Sequence, residues 1–266
     1  AVPPRIEETG PNEFKYRVDF DALEITPDIA AICASRPTNP TGNVLTDEEV
    51  NRLSRIAKDH GIPLILDNAY GLPFPGIIFS DAAPFWEPHV ILTYSLSKFG
   101  LPGARTGIVI GPPDIIEAVS SMNAIIGLAN PGIGQQITLP MVQSGEILRL
   151  SREVVRPFYQ EKLAKAKASA LQAFGTDLAW RMHRCEGAMF LWLWFPGLPI
   201  TTYELYQRLK RRGVLVIPGR YFFYGLEDKT WRHREECIRV SYAMDESMVR
   251  EGLQIIAEEV RMAHAE

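Results

Sequence analysis

The sequence has 266 residues, of which 46% are hydrophobic and 23% are charged, the mixture of an ordinary globular protein. Its net charge of −4 argues against a surface that binds nucleic acid. Three widely spaced cysteines favour neither a disulfide framework nor a zinc site, so we expect a cytoplasmic protein without a structural metal. The longest apolar stretch, residues 188–198, is too short to span a bilayer, and we expect no membrane partner.

Short apolar runs alternate with an amphipathic segment between residues 28 and 111. Thr46 and Glu49 form a predicted capping box at the start of a helix, and Gly61 is expected to end it. Near-continuous apolar runs around this helix predict buried strands, over residues 30–34, 62–66, 89–94 and 106–110. Strand–helix–strand order with buried strands predicts an α/β domain with a mostly parallel sheet, over residues 1–150.

The pattern changes near residue 151. Residues 151–174 have the long, charged helical pattern of a segment that links two domains. Further strands are predicted over residues 187–195, 214–217 and 238–242, and further helices over residues 201–212 and 246–264. This arrangement predicts a second, smaller α+β domain over residues 151–266.

Polar residues follow two of the predicted strands. Asp67 comes directly after strand 62–66, at the edge where parallel sheets bind ligands, and Tyr70 lies three residues further on. Asn39 belongs to Asn39-Pro40-Thr41-Gly42, which follows strand 30–34. Taken alone, Asp67 is typical of a turn or helix-capping residue, and the Asn-Pro-Thr-Gly segment is typical of a turn.

The segment after strand 89–94 combines groups that one cofactor requires. Lys98 follows the hydroxyls of Ser95 and Ser97 and precedes a Gly- and Pro-rich turn that ends at Arg105. A lone lysine in a loop is usually a solvated surface charge, but a neutral lysine amine forms Schiff bases with carbonyl cofactors. Hydroxyls and a guanidinium are groups that bind a phosphate. An aldehyde and a phosphate together indicate pyridoxal 5'-phosphate, with Lys98 as the residue that holds it.

The other candidates then receive roles in cofactor and substrate binding. A carboxylate keeps a pyridine nitrogen protonated, and Asp67 is the candidate for it. Asn39 and Tyr70 can donate hydrogen bonds to the phenolate oxygen of the ring. The freed Lys98 amine can move a proton between the substrate and the cofactor. Arg239, with Asn39 as a second contact, is our candidate for binding the substrate carboxylate, although a surface arginine on an edge strand is a real alternative.

These residues, in this order, resemble the aspartate-aminotransferase superfamily of pyridoxal-phosphate enzymes, fold type I, classes I and II. The matching pieces are Asn39-Pro40-Thr41-Gly42, Asp67 with Tyr70, Ser95, Ser97 and Lys98 with Arg105, and Arg239. The resemblance covers essentially the whole chain. It implies the large domain of that fold with its N-terminal part missing, followed by the smaller α+β domain. It also implies a homodimer for the full-length protein.

Within the superfamily, the resemblance is greatest to enzymes that act on valine and pyruvate. It rests on residues 35–44, 67–79, 188–195 and 218–223, and implies the products 3-methyl-2-oxobutanoate and alanine. The aromatic loop over residues 218–225 suits a branched aliphatic substrate, or it packs without contacting one. The resemblance implies a Gly-rich phosphate-binding turn and a ring-stacking aromatic that do not occur in this sequence, so we expect this chain to bind the cofactor weakly or not at all.

Three other functions stay open at this point. A carbon–sulfur lyase or a decarboxylase on the same fold would share Lys98 and Asp67. The chain could also be the aminotransferase-like, effector-binding part of a transcription regulator. A fragment with no function of its own is the third alternative.

Overall fold

The computed structural model describes residues 1–226 and 230–266, and contacts divide the chain into two compact units. The six-stranded unit comprises residues 1–23, 39–43 and 159–266. The four-stranded unit comprises residues 24–38 and 44–158. These units differ from the predicted division at residue 150, because the N-terminal strands pair with strands from the C-terminal part of the chain.

The strands, in chain order, are β1 (Arg5–Gly10), β2 (Glu13–Arg17), β3 (Ile32–Ser35), β4 (Leu64–Asp67), β5 (Val90–Ser95), β6 (Gly107–Ile110), β7 (Arg181–His183), β8 (Phe190–Trp194), β9 (Ile217–Pro218) and β10 (Cys237–Ser241). The α-helices are α1 (Asp47–Asp59), α2 (Pro113–Gly127), α3 (Ile133–Gln143), α4 (Glu146–Leu150), α5 (Arg156–Phe174), α6 (Thr202–Arg211) and α7 (Glu246–Ala265). Within the described residues, no helix is long and apolar enough to cross a membrane.

The four-stranded unit contains a mostly parallel sheet, as predicted. Its strand order is β3-β4-β5-β6, and the β3–β4 and β4–β5 pairs are parallel. Strand β6 instead runs antiparallel to β5. The connection over residues 96–106 is too short for the crossover that a parallel neighbour requires, so the chain turns straight back.

Helix α1 begins at the predicted capping box. The Glu49 amide donates to Thr46 Oγ1 (3.1 Å), and the Thr46 amide donates to Glu49 Oε2 (2.8 Å). The helix buries one apolar face that includes Val50, Leu53 and Ala57. Both hydrogen bonds of the cap fix the start of the helix at Thr46.

The six-stranded unit contains a mixed sheet with strand order β1-β2-β7-β8-β10-β9. Strand β2 pairs in parallel with β7, and the other neighbours are antiparallel. The strands β1, β2 and β7 were not predicted from the sequence. The predicted strand over residues 214–217 was largely wrong, because only Ile217 and Pro218 pair with β10. The predicted helix over residues 151–174 begins with a π-helical turn, Ser151–Val155, before α5.

Candidate active site

Asp67 lies at the carboxyl end of β4, where the sequence predicted a ligand-binding position. Its register partner on β5 is Thr93, whose hydroxyl donates to Asp67 Oδ1 (3.3 Å). The Ala69 amide donates to the same oxygen (2.9 Å). Two donors therefore fix this half-buried carboxylate at the carboxyl end of β4.

A tight turn after β4 holds Tyr70 in a buried position. The Asn68 amide donates to Thr93 O (2.8 Å), and the Gly71 amide donates to Asn68 O (2.8 Å). A Cβ at Gly71 would lie only 2.5 Å from Arg36 O, so this turn packs directly on the chain that leaves β3. The ring of Tyr70 is 6% exposed and therefore has little freedom to move.

Lys98 lies in a single 3₁₀ turn, Leu96–Lys98, immediately after β5. The Ser97 amide donates to Ser95 Oγ (3.1 Å), and the fully buried Leu96 anchors the turn. The ammonium of Lys98 lies 5.5 Å from the centre of the Tyr70 ring. The structure thus brings together Lys98 and Tyr70, and it places Asp67 on the strand next to the one that ends at Ser95.

Arg105 ends the same loop, but its side chain is exposed. Its backbone is left-handed (φ 46°), and its Nη1 donates to Pro102 O (3.3 Å) within the turn. This contact orders the turn without involving Ser95 or Ser97. A phosphate-binding role for these three residues therefore stays a prediction.

Arg239 and Asn39 meet in the six-stranded unit. Arg239 Nη1 donates to Asn39 Oδ1 (2.7 Å), which joins two residues separated by 200 positions in the sequence. Strand β10 lies between β8 and β9, so Arg239 is not on an edge strand, and that alternative interpretation fails. The aromatic rings of Phe190 and Phe222 contact its guanidinium.

Comparison with known proteins decides the family. The sequence profile of the class I and II aminotransferases matches residues 7–256. The chain belongs to this family. The valine–pyruvate aminotransferase of Escherichia coli strain K12 is 50% identical over 263 residues, which make up 99% of this chain and 63% of that relative. The chain therefore spans less than two thirds of the relative's length.

Solved structures of class I and II aminotransferases confirm the fold type I architecture. The valine–pyruvate aminotransferase of Salmonella typhimurium LT2 is 50% identical, with a TM-score of 0.95 over 99% of this chain and 67% of that chain. The aspartate aminotransferase of Thermus thermophilus, solved with maleate, is 25% identical, with a TM-score of 0.75 over 88% of this chain and 58% of that chain.

Three further residues of this aminotransferase chain contact the predicted site residues, and the sequence analysis did not assign these contacts. They are Thr93, which binds Asp67, and the two rings against Arg239, Phe190 and Phe222. Thr93 could have been found from the sequence, because it lies on the neighbouring buried strand at the position that pairs with Asp67. For Phe222 the sequence indicated only its place in the aromatic loop over residues 218–225, because its contact with Arg239 depends on the pairing of β9 with β10.

Several titratable side chains are buried in the core of the six-stranded unit. Burial lowers the pKa of His233 to about 3. Burial raises the pKa of Tyr16 and of Cys237 well above their ordinary values, so all three groups are uncharged at neutral pH. Over the residues that the structure describes, no three His, Cys, Asp or Glu side chains cluster as metal ligands.

Proposed function

We propose that this protein is a pyridoxal-phosphate-dependent aminotransferase that transfers the amino group of L-valine to pyruvate, which gives 3-methyl-2-oxobutanoate and L-alanine. The observation that carries the chemistry is the Lys98 ammonium, 5.5 Å from the Tyr70 ring centre, in the loop after β5. The identity with valine–pyruvate aminotransferases supports the substrate pair.

The donor set of the four-stranded unit fits the cofactor. Asp67, oriented by two hydrogen bonds, would face the ring nitrogen and keep it protonated. Tyr70 would donate a hydrogen bond from its hydroxyl to the phenolate oxygen, and Asn39, which belongs to the six-stranded unit, would donate from its side-chain amide. Ser95 and Ser97 would bind the phosphate together with Arg105, by hydrogen bonds and charge pairing. When bound, pyridoxal phosphate supplies an aldehyde for the amino group and a ring that withdraws electrons from the substrate.

Lys98 and Arg239 would act on the substrate. The Lys98 amine, once free of the cofactor, would take the proton from Cα of valine and later return a proton to Cα of the new alanine. The half-buried position of Lys98 in the loop after β5 supports this role. Arg239, with Asn39 on its Nη1, would bind the carboxylate that amino acid and 2-oxo acid share.

We further propose a homodimer for the full-length protein and a cytoplasmic location. Membership of the class I and II aminotransferase family supports the homodimer. The described cysteines are unpaired, with Cys185 and Cys237 buried, which supports a reducing compartment. Discrimination between side chains that differ by one methyl group is worth only about 1–3 kcal/mol, so isoleucine and 2-aminobutyrate should also be substrates.

The proposal is tested by comparing Lys98→Ala with Lys58→Ala, a control at an exposed position of α1. In the full-length protein, we expect Lys58→Ala to form alanine from valine and pyruvate at the wild-type rate. Lys98→Ala should lose nearly all turnover and the borohydride-reducible lysine adduct. An adduct retained in Lys98→Ala would refute the assignment of Lys98.

The same assay separates the remaining alternatives. A wild-type protein that binds pyridoxal phosphate but releases products without a 2-oxo acid acceptor would be a lyase or a decarboxylase. Cofactor binding with no turnover of any amino acid would favour the effector domain of a regulator. Either result would refute the valine–pyruvate proposal.

A further inference from the structure

Two aromatic rings contact the guanidinium of Arg239. Its Cζ lies 4.4 Å from the centre of the Phe190 ring and 5.2 Å from the centre of the Phe222 ring. We call these two rings the aromatic clamp. Phe190 begins β8, whereas Phe222 ends the short 3₁₀ turn after β9. The clamp therefore combines a strand residue with a loop residue on opposite sides of β10 in the sheet order.

The position of Phe222 depends on a close approach of its turn to β10. Pro218 pairs with Ile238, and Gly219 follows at the start of the turn. A Cβ at Gly219 would lie 2.7 Å from Cys237 O and 2.9 Å from Arg234 O, closer than any side chain tolerates. The absence of a Cβ lets the turn pack against β10, and this packing brings the Phe222 ring to the guanidinium.

A buried tryptophan supports Phe222 from behind. The rings of Trp192 and Phe222 meet edge to face, with their centres 5.8 Å apart and their planes at 83°. Trp192 is fully buried, and its indole N–H donates to Tyr16 Oη (2.8 Å). Because strand pairing and this hydrogen bond fix Trp192, Phe222 rests on a rigid surface.

A guanidinium that contacts an aromatic ring can still bind a carboxylate. A planar guanidinium uses its face to contact an aromatic ring, and its N–H groups point outward in the plane. One of them, on Nη1, already donates to Asn39. The two rings and the Asn39 side chain together restrict the orientation of the guanidinium.

We infer that Phe222 is a positioning residue of the carboxylate site, which holds the Arg239 guanidinium in the orientation that binds substrate. This inference rests on the proposed function, because that function assigns the carboxylate to Arg239. Phe222 acts through Arg239 and does not itself need to contact the substrate. The loss of its ring weakens the binding of carboxylates, and another aromatic residue at this position restores it.

The test measures the binding of 3-methylbutanoate, a branched aliphatic carboxylate, to the purified protein by NMR titration. Phe222→Leu removes the ring, and Phe222→Tyr keeps it. Phe223→Leu is the matched control. Phe223 lies next to Phe222 in the same loop, and its ring packs against Trp192, Trp231 and His233. Loss of 3-methylbutanoate binding in Arg239→Ala would show that the ligand binds at Arg239. Thermal unfolding midpoints of Phe222→Leu and Phe223→Leu separate a loss of packing from a loss of binding.

We expect Phe222→Leu to raise the dissociation constant about 2- to 30-fold, the range of a cation–π contact. Phe222→Tyr and Phe223→Leu should stay within about twofold of wild type. If Arg239→Ala abolishes binding but Phe222→Leu behaves like Phe223→Leu, the inference fails and the proposed function stands. If the wild type does not bind 3-methylbutanoate, or Arg239→Ala binds it equally well, then Arg239 is not the carboxylate site. In that case the inference fails together with the substrate assignment.

Discussion

The buried ion pair between Lys15 and Glu186 gives a quantitative test of the packing in the six-stranded unit. Lys15 lies on β2, and the two side chains are only 2% and 10% exposed. Removing one member of a buried pair costs about 3–5 kcal/mol, because the other charge stays desolvated after its main partner is lost. Arg184 Nε lies 4.0 Å from Glu186 Oε1 and partly replaces the lost ammonium in Lys15→Met. We therefore expect a loss of about 3–5 kcal/mol for Glu186→Gln and a loss at the lower end of that range for Lys15→Met.

The double variant Lys15→Met/Glu186→Leu removes both charges and keeps apolar volume. Replacing a whole buried pair is often neutral, so we expect its free energy of unfolding to lie within about 1 kcal/mol of wild type. Urea denaturation followed by tryptophan fluorescence measures this unit, since it contains four of the five tryptophans: Trp180, Trp192, Trp194 and Trp231. A double variant no more stable than Glu186→Gln, or an unchanged Lys15→Met, would contradict the reasoning.

Three further predictions concern the turn after β4, the buried histidine and the carboxylate site. Gly71→Ala should weaken pyridoxal phosphate binding at least about tenfold in equilibrium dialysis, because its Cβ would lie 2.5 Å from Arg36 O and displace the turn. Burial lowers the pKa of His233 from 6.5 to about 3, so below pH 6.5 only the unfolded chain takes up this proton. His233 should therefore contribute a fall in the free energy of unfolding of about 1.4 kcal/mol per pH unit from pH 6.5 down towards 3, beside a contribution of the same sign from the buried His183, whose pKa burial also lowers. The difference between wild type and His233→Gln in urea denaturation at pH 7 and 5 measures the His233 contribution. Arg239→Ala should raise the Michaelis constants for valine and for pyruvate about 10- to 100-fold in steady-state assays.

Each of these predictions has an internal control. Gly103 has nothing within 4 Å of an added Cβ, so Gly103→Ala should bind the cofactor like wild type. If Gly71→Ala bound pyridoxal phosphate as tightly as wild type, the turn would tolerate the added Cβ, and this prediction would be wrong. The pH slope should decrease in His233→Gln, and an unchanged slope would assign it to other groups. If Arg239→Ala affected only one half-reaction, it would not be the shared carboxylate anchor.

Local signals in the sequence predicted the elements that depend on neighbouring residues. Thr46 and Glu49 are three positions apart, and both hydrogen bonds of their capping box are present. The apolar runs predicted β3, β4 and β5 to within two residues at each end, since buried parallel strands have continuous apolar sequence. The position of Asp67 at a strand end followed from the same pattern.

Pairing between distant segments was not predictable in the same way. Strand β2 alternates charged and apolar residues, and the place of β1 and β2 in the sheet depends on the pairing of β2 with β7, which lies more than 160 residues away. The two-residue strand β9 is too short to give a periodic signal. A local pattern can indicate a strand, but it does not show which distant strand pairs with it.

The sequence alone predicted the family of this protein, because the order of Asn39, Asp67, Lys98 and Arg239 together with their flanking residues resembles one superfamily. Only the tertiary structure decided which side chains act on one another. It paired Arg239 with Asn39 across 200 residues and brought the Phe222 ring to the same guanidinium. Hydrogen bonds and ring contacts depend on distances of a few ångströms, and these distances are fixed by the pairing of strands rather than by the residues next to each group.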